Sequence, residues 1–165
     1  MTSLFDLHAQ TLRAYATRRV GADAADDVVS EVFATAWRRR DDVPDPALPW
    51  LLRAAHNVVA HERRSLARRL NLRDAVAGST VARSSPAAET SSRALAESVL
   101  AQLPPIDAEV LRLTAWEGLS PSEIAVILNL SDSAARNRLM RARRRAQQLL
   151  DEPTAVPRLA AVPTH

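Results

Sequence analysis

A chain of 165 residues and 18.0 kDa with 10 prolines, 3 glycines and no cysteine has room for one ordinary domain or two small ones, and none for a large multidomain enzyme. Without thiols there is no disulfide framework, cysteine nucleophile or thiolate zinc site, and glycines at Gly21, Gly78 and Gly118 alone permit neither a dinucleotide-binding turn nor a phosphate-cradling loop. All 22 basic side chains are arginine against 19 acids, a net charge of only +3, so any affinity for nucleic acid must come from where the charges stand.

Hydrophobic residues at 47% with aromatics at 4% predict cores of Ala, Leu and Val and an all-α fold. In chain order, Ser3 with Asp6 reads as a helix start, and Leu4, Leu7, Leu12 and Tyr15 recur at helical spacing until Gly21. A second helix is predicted with Asp23 as N-cap, Asp26 and Asp27 in its first turn, and a stripe of Val28, Val32, Phe33, Ala36 and Trp37. Arg38 to Arg40 close it, so acid at the start and base at the end suit the macrodipole. The proline-studded stretch Asp41 to Pro49 is a loop, and Leu51, Leu52, Ala55, Val58 and Val59 mark a third helix to about Arg64. Trp50 is read as an anchor of that core or loop.

Helical periodicity is lost after Leu72, and residues 66–92, rich from there in Ser, Thr, Ala and Gly, are expected to form a flexible linker. The second block opens with a helix around Ala94 to Leu103, carrying Leu95, Val99 and Leu103 on one face and stopped by Pro104 and Pro105. The next helix presents Val110, Leu111, Leu113, Thr114 and Trp116 and ends at Gly118. Ser120-Pro121-Ser122-Glu123 is a capping box with proline at the first helical position, ahead of Ile124, Ala125, Ile127 and Leu128. Asn129-Leu130-Ser131 turns into a long helix from Asp132 to about Leu150. Short helix, tight turn and basic helix predict a helix-turn-helix. Three prolines in residues 151–165 predict a disordered tail. The expected architecture is therefore two small helical domains, residues 1–65 and 93–150, the second a helix-turn-helix domain.

Charge is segregated between them. Arg136 to Arg145 holds six arginines and no acid, while Asp23 to Glu31 holds four acids and no base. With Ala135, Leu139, Ala142 and Ala146 inward, the last helix leaves Arg136, Asn137, Met140, Arg141 and Arg144 outside, where arginine suits guanine, asparagine adenine and methionine a thymine methyl. An isolated arginine run is as often a solvated basic helix; the capped helix and turn upstream favour a groove reader. Alone, Asp26, Asp27 and Glu31 more often serve a helix N-terminus than a partner. Asn57 and His61 share a helix face, and the four histidines show no HExxH spacing, so no metal site is expected. No apolar run approaches the roughly 20 residues that span a bilayer, and Met1 to Gln10 carries no basic cluster, so neither export nor membrane insertion is expected and a reduced cytoplasmic location fits.

Three segments together resemble bacterial RNA polymerase sigma factors of the extracytoplasmic-function (ECF) group, which consist of two domains called sigma-2 and sigma-4. DAADDVVSEVFATAWRR, Asp23 to Arg39, is similar to the family's acidic polymerase-binding helix, and PWLLRAAHNVVAHERR, Pro49 to Arg64, to the helix that follows its base-capturing loop. Leu103 to Arg145, with LPPIDAEVL, GLSPSEIAVIL and NRLMRARRR, resembles its minus-thirty-five-binding segment. The chain departs from the usual pattern at Ser30 for Gln, His61 for Asp or Asn, Asn129 for Gly, Ala135 for Val and Asn137 for Ser.

The resemblance implies a dissociable initiation factor without catalysis or cofactor, whose partners are core RNA polymerase (clamp helices and flap), promoter DNA and, in some members, an anti-sigma factor. It implies that Asp26, Asp27, Glu31, Phe33 and Trp37 dock on polymerase. It further implies that the loop Pro44 to Leu48, with Asn57, His61, Arg63 and Arg64, takes unstacked bases of the minus-ten element. Ser131, Arg136, Asn137, Arg138, Met140, Arg141, Arg143 and Arg144 are the counterparts of residues on the minus-thirty-five duplex. The competing reading is a stand-alone helix-turn-helix regulator, which needs neither the acidic helix nor the first block; a small hydrolase would need a nucleophile, base and orienting group that the scattered Ser, His and Asp do not supply.

Overall fold

The computed structural model describes residues 3–74 and 90–152, and within them every regular element is helical. Helix α1, Leu4–Val20, starts as its capping box dictates: the Ser3 hydroxyl accepts from the Asp6 N–H at 3.2 Å and the Asp6 carboxylate accepts from the Ser3 N–H at 3.2 Å. Gly21, at φ 85°, is the only residue between α1 and α2, Ala22–Arg38. That left-handed backbone, which an L side chain adopts only at a cost, turns the chain so sharply that α2 begins before Asp23. Gly21 rather than Asp23 is thus the N-cap, Asp23 lies in the first turn, and Asp26 and Asp27 lie one turn further on. A single 3-10 turn, Arg40–Asp42, and an exposed stretch around Pro44 to Pro46 lead into α3, Leu48–Asp74.

Three helices pack mutually in this first block, with Leu12, Tyr15, Ala16, Ala25, Val28, Val32, Leu51, Leu52 and Ala55 buried between them. Trp50 packs partly buried against this core. Two residues in the expected apolar stripes face outward. Trp37 is 73% exposed because at about 100° per residue it stands roughly 140° round the helix from Val32, whereas Val28 and Ala36 stand within about 40°. Leu7 is likewise exposed.

The third helix does not stop near Arg64 but continues to Asp74, so the first nine residues assigned to the linker, 66–74, are helical. Leu66, Ala67, Arg68, Arg69 and Asn71 are exposed, and α3 persists there on the helix propensity of Leu, Ala and Arg. The second block starts earlier than expected, α4 spanning Thr90–Ala101, with Val99 buried and Leu95 exposed. The flexible character assigned to the linker and the tail otherwise concerns residues 75–89 and 153–165, outside those described.

Helix α5, Pro105–Ala115, ends three residues before Gly118, which at φ 65° lets the Leu119 N–H reach back to the Leu113 carbonyl at 3.2 Å. Helix α6, Pro121–Leu128, carries the predicted capping box: Ser120 Oγ accepts from the Glu123 N–H and Glu123 accepts from the Ser120 N–H at 2.8 Å. It ends on Asn129 in the left-handed region, φ 54°, ψ 51°, with the Leu130 N–H closing onto the Ala125 carbonyl at 2.9 Å. Helix α7, Asp132–Asp151, follows directly, capped by Ser131. Helices α5 and α6 pack across α7, and α3 packs along α6, so that the buried side chains of the two blocks run into one continuous core.

Candidate nucleic-acid interface and acidic face

The helix-turn-helix is fastened at its turn. Ser131 Oγ accepts from the Ala134 N–H at 3.2 Å, and the Ser122 hydroxyl of α6 donates to Asp132 Oδ2 at 2.9 Å, tying the start of α7 to the helix before it. Ala135, Leu139 and Ala142 are buried, as their spacing predicts. Asn137, Arg141 and Arg144 then fall within about 40° of the point opposite Leu139. They are exposed, as are Arg136, Met140 and Arg143, and together they form an uninterrupted cationic ridge.

Two residues expected on that ridge have other engagements. Ser131 spends its hydroxyl on the cap. Arg138 stands on the flank turned toward α5 and donates to Asp107 Oδ1 at 3.0 Å, an ion pair that joins α7 to α5.

On α3, Asn57 and His61 lie exposed one turn apart, and Arg64 is exposed beyond them. Arg63 instead reaches back to donate to the Arg19 carbonyl at 3.1 Å. The neighbouring His56 is half-buried, its Nδ1 3.4 Å from the Tyr15 hydroxyl; burial lowers its pKa and keeps it neutral, and burial raises that of Tyr15.

The acidic residues of α2 divide in the same way. Asp26 pairs with Arg13 of α1 at 2.9 Å on the open surface, where the pair is worth little. Asp27 and Glu31 form no ion pair with another described residue. With Glu62 of α3 they line a shallow cleft of about 70 Å³, floored by Val28 and Val58. Phe33 is half-buried against Phe5, ring centroids 4.9 Å apart, and the exposed Trp37 ring lies 5.9 Å from the Arg40 guanidinium; at about 100° per residue both aromatics stand on the side of α2 that carries Asp26, roughly 80° or more round from Asp27 and Glu31. Among the described residues no group of carboxylates or histidines is arranged to hold a metal ion, and no helix is long and apolar enough to cross a membrane.

A charged seam between the blocks is absent from the sequence reading. Arg19, its side chain 2% exposed, donates from Nη2 and Nε to Glu109 Oε1 at 2.8 and 3.0 Å, and its Nη1 lies 3.4 Å from Glu117, whose side chain is 1% exposed. Its guanidinium also stacks 3.6 Å over the Tyr15 ring. Arg18 pairs with the same Glu117 and lies 5.7 Å from the Trp116 ring, while its Nε is buried without a partner. Such an orphan donor costs about 1–3 kcal/mol. The partners are separated by 90 and 98 positions, and nothing periodic in a single sequence relates residues so far apart.

Comparison with known proteins matches both blocks separately. The Sigma-70 region 2 profile covers residues 4–69 and the Sigma-70, region 4 profile residues 93–145. The chain is 34% identical over 163 residues to the ECF RNA polymerase sigma factor SigL of Mycobacterium tuberculosis, covering 92% of this chain and 89% of that protein. It is 36% identical over 139 residues to the RNA polymerase sigma factor CnrH of Cupriavidus metallidurans, covering 76% and 73%. Among solved structures it resembles the sigma factor RpoE of Bartonella quintana in complex with the anti-sigma factor NepR, with a TM-score of 0.65, 25% identity and coverage of 88% and 93%. It also resembles CnrH in complex with the cytosolic domain of CnrY, with a TM-score of 0.61, 31% identity and coverage of 90% and 85%.

Proposed function

The chain belongs to the ECF group of RNA polymerase sigma factors and acts in transcription initiation, and from that premise we propose how its two blocks divide the work. The first block binds core polymerase through Asp26, Asp27, Glu31, Phe33 and Trp37 on α2, where exposed carboxylates and an exposed indole on one helix suit a partner that is basic and apolar together. The same block holds melted minus-ten bases against Asn57, His61 and Arg64, with Arg63 joining them once released from Arg19. The second block sets α7 into the major groove of the minus-thirty-five element.

One observation carries this division: a single chain bears a helix with exposed acidic side chains in one block and a cationic, groove-sized ridge in the other. A stand-alone regulator needs only the second. On α7, Asn137 and Arg141 read bases from the point facing the groove, whereas Arg143 and Arg144, further along the helix, balance phosphates. Arg138 and Ser131 serve by positioning, through Asp107 and the helix cap. The chain works in the cytoplasm without catalysing a reaction of its own, and a protein inhibitor of the kind bound to RpoE and CnrH is a further partner.

Co-elution with purified core RNA polymerase, followed by promoter-dependent transcription with the resulting complex, tests the reading. Asp27→Arg with Glu31→Arg is expected to abolish co-elution while leaving helical circular dichroism unchanged, since both side chains are exposed. Unchanged co-elution would overturn the assignment of α2, and tight duplex binding by a chain that never associates with polymerase would establish the regulator instead.

A further inference from the structure

The face of α3 that carries Asn57 and His61 runs on beyond the residues assigned to the minus-ten element. At about 100° per residue, Arg53, Asn57, His61, Arg64, Arg68 and Asn71 all fall within about 40° of Asn57, and all are exposed. The buried Leu51, Leu52, Ala55 and Val59 stand within about 60° of the opposite point, so the stripe faces directly away from the core. We propose that its far end, Arg68 with Asn71, grips backbone phosphates of the duplex immediately upstream of the minus-ten element, whatever the base sequence there. The proposal rests on the sigma-factor reading and adds a binding surface that Asn57, His61 and Arg64 do not supply.

Charge placement supports this first. Arginine is a good helix former, and propensity alone would set guanidinium groups anywhere around an exposed helix. On α3 the acid is kept off the stripe: between Leu48 and Asn71 the one acid is Glu62, and it stands about 140° round from Asn57. Arg68 has Arg64 and Ser65 one turn behind and Asn71 and Leu72 one turn ahead, so it lacks the acidic neighbour that commonly pairs with a solvated arginine. Arg53, Arg64 and Arg68 form no ion pair with another described residue.

Reach supports it second. Residues 66–71 add no buried side chain to the core, so packing does not account for carrying the helix past Arg64. The extension sets Arg68 about 16 Å along the axis from Asn57 at about 1.5 Å per residue, or about five base-pair steps of about 3.4 Å. That is far enough to pass from bases held at Asn57 and His61 to paired DNA. The loop Pro44 to Leu48 leads into α3, and the chain leaves α3 toward the block assigned to the minus-thirty-five element, so the Arg68 end lies on the upstream side. A guanidinium and an amide one turn apart offer donors that phosphate oxygens accept without reading a base edge.

Holoenzyme assembled from core polymerase and the full chain tests the contact on two forms of a promoter that it transcribes. One carries duplex well upstream of the minus-ten element; in the other the duplex stops at the upstream edge of that element. On the longer DNA, Arg68→Ala is expected to weaken binding about threefold or more with every upstream sequence, and to flatten the slope of log affinity against log salt by about 1. Arg68→Lys should restore both, because a phosphate contact needs the charge and not the fork. Arg69→Ala, about 100° round the helix, should change neither. On the shorter DNA, native and Arg68→Ala chains should bind alike. Alanine at an exposed helical site keeps α3 intact, which circular dichroism checks. Unchanged affinity and slope in Arg68→Ala would overturn the proposal, as would an equal loss in Arg69→Ala or an equal loss on the shorter DNA. A loss confined to particular upstream sequences would overturn it too, by making Arg68 a base reader. If the native chain failed to associate with polymerase at all, the sigma-factor reading would fall and this contact with it; native binding that Arg68→Ala leaves untouched overturns the contact alone.

Discussion

The end of α1 and the outer face of α7 are both built of arginine, and the same side chain does opposite work in each. Arg19 is shut away from water with two carboxylates and an aromatic ring supplied for it, and its charge is spent inside the molecule. Arg141, Arg143 and Arg144 form no ion pair with another described residue and stand in solvent on a helix whose inner face is only Ala and Leu. Arginine content therefore says nothing about nucleic-acid binding in this chain; the company each guanidinium keeps does.

Substitution at the two positions sets that contrast in numbers. Arg19→Met is expected to lower the free energy of unfolding by about 3 kcal/mol in urea titration, because buried Glu109 loses both of its guanidinium hydrogen bonds and Glu117 keeps only Arg18; a loss under about 1 kcal/mol would mean that the seam is wet. Arg141→Ala should leave stability within about 0.5 kcal/mol and instead cost about 1–3 kcal/mol of holoenzyme binding at the upstream promoter element, with relaxed preference at one base pair. An equal loss on every sequence would reassign Arg141 to a phosphate. Ser120→Ala removes half of a capping box and should cost about 1 kcal/mol, read as a lowered melting midpoint. The smallest effect concerns pH. Burial lowers the His56 pKa in the folded chain, so the unfolded chain takes up the proton first, and the stability involved is present above about pH 6.5 and lost on acidification below it. Between about pH 7.5 and about pH 5.5, melting of the native chain should fall more steeply than that of His56→Gln; parallel slopes would show that the ring is hydrated.

The two regions also differed in how far they were legible. The helix-turn-helix could be read directly, because its signals are local: a capping box spaced by three, an asparagine at the turn, alanines at helical spacing. Local signals misled where sharp backbone geometry or surface helix intervened. Gly21 caps α2 two residues before Asp23, and α3 runs on past Arg64 as a mostly exposed helix. Trp37 was assigned inward on spacing that a helical wheel places outside. The seam was illegible in kind. Arg18 and Arg19 look like ordinary last-turn bases complementing a helix dipole, and only the packing of α3 along α6 brings Glu109 and Glu117 to them.

Gly21 gives the seam a direct connection to α2. One residue separates α1 from α2, so the helix bearing Asp27 and Glu31 is hinged directly on the turn bearing Arg18 and Arg19, with no slack to absorb a tilt. A partner that pries α2 from its seat pulls on Arg19 within three residues of the fulcrum.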